Sequence, residues 1–219
     1  MYDILDVILC PSAFLKNKLD TYHVLAKKTV LLRNFVTSLP KVDDSKENYV
    51  LFFGRYSEEK GIHALLRACQ ALPDIPFVFA GGGPLEPLLE GIPNVQNVGF
   101  LQGEALHTLI RGARFTVAPS QCYENCPFSV MESILAGTPV LGSALGGIPE
   151  LIETGRTGWL FPADDATILQ AEIQRIWNSN EPEQYHKACL DVQFDTLPAY
   201  TDQLMILYQG GTLSHDSTH

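Results

Sequence analysis

Two glutamates with seven residues between them, Glu124 and Glu132 in the stretch CYENCPFSVMESILAGTPVL (122–141), are the carboxylates best placed for shared chemistry. Within one continuous helix, positions eight apart would point about 80° from each other and stand about 12 Å apart along the axis. They could not easily hold one small group together. Pro127 fits the first position of a helix, which puts Glu124 in the loop ahead of it and Glu132 in its second turn. The N–H groups between them would lack helical partners and suit phosphate oxygens. A ligand with hydroxyls at both ends and phosphates in the middle matches that layout, as a nucleoside diphosphate sugar does. The residues alone leave a second reading equally open: Glu124 complements the helix dipole and Glu132 faces solvent.

The neighbouring chemistry is cationic and glycine-rich. Four unusual stretches each follow an apolar run: GRYSEEKG (54–61), GGGP (81–84), SQCYENCP (120–127) and ALGGIPE (144–150). A single glycine turn is weak evidence for phosphate binding, and Arg55 and Lys60 taken singly could be solvated charges. Together they place glycines and two cations on one expected rim of an acidic protein. That concentration points to an anion of the diphosphate kind, met by charge-assisted contacts and free backbone N–H groups.

The elements that must position these residues are read from hydrophobic period. Short runs rich in Val, Leu, Ile and Phe at 4–10, 29–33, 49–53, 76–80, 94–98, 114–118, 139–143 and 158–161 predict strands covered on both faces. Residues 61–72, 104–113 and 129–137 repeat apolar positions at three- and four-residue steps and predict helices. Alternation of this kind gives an α/β fold with a Rossmann-like parallel sheet and flanking helices, whose ligands sit beyond the carboxyl ends of the strands. After about residue 164 the chain turns wholly helical, with Asp164 and Asp165 suited to a helix start. The polar stretch 40–48 reads as a linker.

The 219 residues carry a net charge of -10, are 46% hydrophobic and contain no lysine- or arginine-rich run, so nucleic acid is not an expected partner. The five cysteines form no C-x-x-C pair and no tetrahedral metal set, and read as reduced thiols. No apolar stretch reaches the length of a membrane span and no signal pattern opens the chain. The expectation is a soluble, cytoplasmic protein, with peripheral membrane attachment left open.

The pattern GRYSEEKG, AGGGP, VGFL, APSQCYENCPFSVMESILAGTPVLGSALGGIPELI and GWLF closely resembles, over about residues 49–165, the donor-binding half of glycosyltransferase family 4, retaining enzymes of the GT-B fold with two facing Rossmann-like domains. The resemblance implies that Arg55 and Lys60 hold the donor diphosphate and stabilise the leaving nucleotide. It implies that Glu124 binds the donor sugar with backbone N–H groups near Asn125 and Cys126. It further implies that Glu132 accepts from the ribose hydroxyls, and that the Gly82 turn and the backbone from Gly99 to Leu101 frame the nucleotide and its base. Transfer would retain the anomeric configuration without a metal or other cofactor, toward an unknown sugar or lipid-linked acceptor.

On the same resemblance, residues 1–39 are a remnant of the acceptor domain, 40–48 the linker, 49–194 the nucleotide-sugar-binding domain and 195–219 a crossover helix and tail. The rest of the acceptor domain, with its glycine-rich loop and histidine, has no counterpart, and none of His23, His63, His107, His186 or His215 stands in a matching context. A missing domain, a partner chain or a homodimer is therefore expected to complete the protein. Glu124-Asn125-Cys126-Pro127 departs from the family's common Glu-x-Phe-Gly, and Pro127 removes one N–H donor. The alternative is an inactive nucleotide-sugar-binding module or subunit, against which the four polar residues kept in register argue.

Overall fold

The computed structural model describes residues 4–22, 28–36, 46–163 and 165–213. His23, Asp164, His215 and most of the expected linker lie outside these. The chain divides into two compact units, residues 39–193 and residues 1–38 with 194–219.

The larger unit is built on a six-stranded parallel sheet. Its strands are β3 (Val50–Arg55), β4 (Phe77–Gly82), β5 (Val95–Gly99), β6 (Phe115–Ala118), β7 (Val140–Ser143) and β8 (Gly158–Phe161). They lie side by side in the order β5-β4-β3-β6-β7-β8. Between them run α2 (Ile62–Ala71), α3 (Gly103–Gly112) and α4 (Phe128–Leu135), followed by α5 (Ala166–Trp177) and α6 (Glu181–Leu190). Helices cover both faces, so the strands read as nearly continuous apolar runs. On one face, Phe52, Phe77, Phe79, Phe115 and Val117 pack with Leu65 of α2 and with Leu169 and Ile173 of α5. On the other, Leu51, Phe53, Val78 and Ala80 meet Ile110 of α3 and Ala136. Each large apolar side chain fully buried this way contributes about 1.5–3 kcal/mol.

Two strands run further than their apolar runs suggest. β3 and β4 continue through Gly54 and Gly81, which pair in register, to Arg55 opposite Gly82. Glycine here extends the pairing instead of ending it: a Cβ on Gly81 would stand 1.9 Å from the Gly54 carbonyl oxygen. Other boundaries shorten. β1 (Ile8–Cys10) starts four residues later than its apolar run, with Ile4 and Leu5 exposed, and β2 spans Thr29–Leu31. Pro127 is the residue before α4 and not its first: φ -69° suits a helix, but ψ 123° keeps it extended, and Phe128 opens the helix. Asp165 caps α5, its Oδ1 accepting from the N–H groups of Thr167 at 2.9 Å and Ile168 at 3.2 Å.

The described end of the expected linker is anchored. The Glu47 N–H donates to the Gly112 carbonyl at 2.7 Å, and Lys46 Nζ donates to Thr138 Oγ1 at 2.7 Å. In the smaller unit, β1 and β2 pair in parallel beside α1 (Ala13–Asp20), whose N-cap Ser12 accepts from the Leu15 N–H at 3.1 Å. The last helix, α7 (Leu197–Tyr208), joins them through Tyr200, whose ring stands 5.0 Å from that of Phe35.

Candidate functional site

The strand order reverses at β3, whose neighbours are β4 and β6. β3 and β6 pair only at Val50–Phe115 and Leu51–Thr116, whereas β3 and β4 pair over six positions. Their following loops therefore leave the sheet separately, at the topological switch where open parallel sheets bind ligands. Those loops carry Lys60 and Glu124. Lys60 Nζ is in direct ion-pair and hydrogen-bond contact with Glu124 Oε1, although 64 residues separate them. Ser120 Oγ donates to the same oxygen at 2.9 Å.

Close backbone contacts hold the loops in place. Gly61, at φ +75°, ends the turn carrying Lys60, and a Cβ there would stand 1.8 Å from the Pro119 carbonyl oxygen. The Gln121 N–H donates to the Glu59 carbonyl at 2.8 Å. From the loop after β7, Gly146 at φ +63° lies where a Cβ would come within 2.4 Å of the Glu124 carbonyl oxygen, and the Gly147 N–H donates to that oxygen at 2.6 Å. Glycine is required at both places for want of room as well as for the left-handed backbone. The loops after β3, β6 and β7 thus form one connected rim around Glu124.

Beyond Glu124 the chain enters α4. The N–H groups of Phe128 and Ser129 make no backbone hydrogen bond among the described residues, as expected of a first turn without a side-chain cap. Cys126 turns its buried Sγ to Met131 Sδ at 3.5 Å, so its thiol is not presented to a ligand, while Asn125 is exposed. Glu132 is half-buried and not solvent-facing. Burial pushes its carboxyl above the ordinary range, and it has no ion-pair or hydrogen-bond partner among the described residues. A half-desolvated carboxylate of this kind favours ligands that donate hydroxyl hydrogens.

A cleft of about 330 Å³ opens at the carboxyl ends of β3 and β4, lined by Arg55, Gly82, Phe100 and Leu101 together with Phe53 and Leu106. Arg55 is exposed. The lip of this cleft is shaped by an irregularity in the β4–β5 pairing, where Phe79 faces Asn97 but Ala80 faces Gly99. Asn97 Oδ1 accepts from the Gly99 N–H and from the buried Tyr56 hydroxyl, each at 3.0 Å. Gly99, at φ +71°, then turns Phe100 and Leu101 toward the cleft. The structure thus brings Arg55, Gly82 and Leu101 together in the cleft and Lys60 with Glu124 on the adjoining rim, and sets Glu132 one turn into α4.

Several site groups carried no clear sequence signal. Ser120 and Asn97 are ordinary loop and strand residues in the sequence; only the long-range packing gives them partners. Ser57 Oγ donates to Glu59 Oε1 at 2.7 Å; this bond, the local backbone and then the charges of Arg55 and Lys60 hold the Glu59 carboxyl below its usual range. Among the histidines, His63 is exposed, His107 lies 3.9 Å from Glu104, and His186 Nδ1 meets the Gly137 carbonyl at 2.6 Å at the end of α4.

A parallel sheet flanked by helices, with cations and carboxylates gathered at its switch point, defines a Rossmann-like domain of the kind found in GT-B glycosyltransferases. Residues 47–179 match the family described as Glycosyl transferases group 1, and the chain belongs to that family. An uncharacterized glycosyltransferase of Methanocaldococcus jannaschii is 34% identical over 146 residues, covering 62% of this chain and 37% of the relative. The sulfoquinovosyl transferase of Arabidopsis thaliana is 32% identical over 139 residues, covering 60% and 27%. The chain spans about half or less of the length of the curated relatives it matches. Among solved structures, a point mutant of S. aureus TarM, in complex with fondaparinux, alpha-GlcNAc-glycerol and UDP, superposes with a TM-score of 0.82 at 16% identity. The likeness covers 94% of this chain and 44% of that one. Anabaena HepE in complex with UDP-glucose gives 0.77 at 18% identity, covering 93% and 64%. At these identities the likeness is one of fold. Among the described residues, no helix is long and apolar enough to cross a membrane.

Proposed function

We propose that this chain is the donor-binding part of a retaining, family-4-type glycosyltransferase that uses a nucleoside diphosphate sugar. The observation that carries the reading is the meeting of Lys60 and Glu124 on the rim of the β3–β6 switch point, beside Arg55 and ahead of the α4 N–H groups. Lys60 and Arg55 take the diphosphate, and their charge stabilises the nucleotide as it leaves. Glu124, with backbone near Asn125 and Cys126, holds the sugar. Glu132 accepts from the ribose hydroxyls, which relieves a carboxylate that burial has left without donors. The base lies in the cleft bounded by the Gly82 turn and by Gly99 to Leu101.

On this reading the fixed cations and the helix end take up the charge a metal would otherwise neutralise, and no cofactor is required. The remainder of the acceptor site comes from further polypeptide, whether of the same protein, a partner or a second copy, and acts on a sugar or lipid-linked acceptor at the cytoplasmic side. A UDP-sugar is the first candidate donor, because HepE and TarM are structures with UDP-glucose and UDP bound.

The test is a thermal-shift titration of the purified chain with UDP, GDP, ADP and dTDP. A ligand at about a hundred times its Kd adds roughly 2.7 kcal/mol of stability. One nucleotide is expected to raise Tm; a Tm unmoved by all four speaks against a donor site in this chain.

A further inference from the structure

Glu124 Oε1 receives two donors, Lys60 Nζ and Ser120 Oγ, the latter at 2.9 Å, while Oε2 receives none among the described residues. The carboxylate is thus clamped by one oxygen and presents the other. The two donors differ in what a ligand does to them. A diphosphate competes for the Lys60 ammonium, because phosphate oxygens form charge-assisted bonds as strong as those of a carboxylate. Ser120 is neutral and offers a diphosphate no charge to pair with. Its side chain sits on a residue only 5% exposed, next to Pro119, whose carbonyl lies against Gly61, and next to Gln121, whose N–H is bonded to Glu59.

We propose that Ser120 is a positioning residue for the donor sugar: it keeps Glu124 in place when the donor diphosphate draws Lys60 away, so that Oε2 can accept from a sugar hydroxyl. The inference rests on the donor-site reading above. It assigns Ser120 to the sugar end of the ligand only. The nucleotide end, served by Arg55, Lys60 and Glu132, does not depend on this hydroxyl. A small hydroxyl is suited to the task, since it donates one hydrogen bond and adds no charge to compete with the diphosphate.

The experiment compares Kd values of UDP and UDP-glucose, by calorimetry, for the wild type, Ser120→Ala and Ser120→Thr. Ser120→Ala is expected to weaken UDP-glucose about five- to tenfold, less than a direct hydrogen bond to a charged group because the loss is felt only through Glu124. UDP affinity stays unchanged, Tm falls modestly with the lost hydrogen bond, and Ser120→Thr, which keeps the hydroxyl, restores UDP-glucose binding. The inference is overturned if Ser120→Ala weakens both ligands equally, which marks a general structural role, or weakens neither. A wild type that binds UDP but gains or loses nothing from the glucose also overturns it and leaves the nucleotide site standing. A wild type that binds neither ligand overturns the donor-site reading itself.

Discussion

Lys60 of the loop after β3 donates to Glu124 of the loop after β6, and the two side chains are 32% and 15% exposed. The pair brings a cation and an anion to the one place where the sheet splits, and in the free protein they neutralise each other. A ligand that carries both phosphates and hydroxyls can exchange that contact for two of its own. A ligand carrying only one kind of group would leave the other charge without its partner.

The first consequence concerns Lys60→Ala. Hydrogen bonds to charged groups are worth about 1.5–3 kcal/mol, so UDP affinity should fall about tenfold or more. The fold should feel it little, by about 1 kcal/mol or less, because a partly exposed pair contributes modestly to stability. Calorimetry with UDP and a melting curve separate the two effects. A large loss of Tm with unchanged affinity would make the pair structural.

Glu132 predicts the opposite balance. Burial raises its folded-state carboxyl value above that of an unfolded glutamate. Between those two values the folded state holds more protons than the unfolded one, so stability falls as pH rises through that window. Glu132→Gln carries no such penalty. Its Tm relative to wild type should be higher at neutral pH, the gap should close at mildly acidic pH, and nucleotide binding should weaken. Equal Tm differences at both pH values would contradict the burial argument.

The glycine contacts are testable against a control. Gly91 has φ +76° with no atom near a new Cβ, so Gly91→Ala should cost only the left-handed backbone, about 1–2 kcal/mol. Gly146→Ala adds a clash with the Glu124 backbone at 2.4 Å. It should destabilise more than the control in urea melts and abolish UDP-glucose binding. Equal costs would mean that the rim is free to move.

A cap prediction checks the fold apart from the site. Asp165→Ala removes the acceptor for two α5 N–H groups and should cost about 0.5–2 kcal/mol. UDP affinity, measured well below Tm, should not change.

Most of the architecture was legible from period alone, because strands buried on both faces are apolar throughout and helices repeat at three and four. The sequence signals failed where glycine has two meanings. Gly54 and Gly81 look like turns but extend β3 and β4, since only their mutual contact across the sheet reveals the role. Glu124 and Glu132 could be placed on either side of a helix start from Pro127, with an error of one residue at the cap itself. The environment of Glu132 could not be read, because burial depends on what packs beside α4. Ser120 and Asn97 carry no signal in the sequence for a similar reason: a hydroxyl or amide in a polar stretch gains a role only from partners elsewhere in the chain.

The most direct measurement is a calorimetric titration of UDP into the wild type and Glu132→Ala. Saturable binding at one site per chain is expected, weakened about tenfold or more in the variant, which lacks the charged acceptor for the ribose hydroxyls. No binding to the wild type, or equal affinity in both proteins, would contradict the assignment of the α4 end as the nucleotide site.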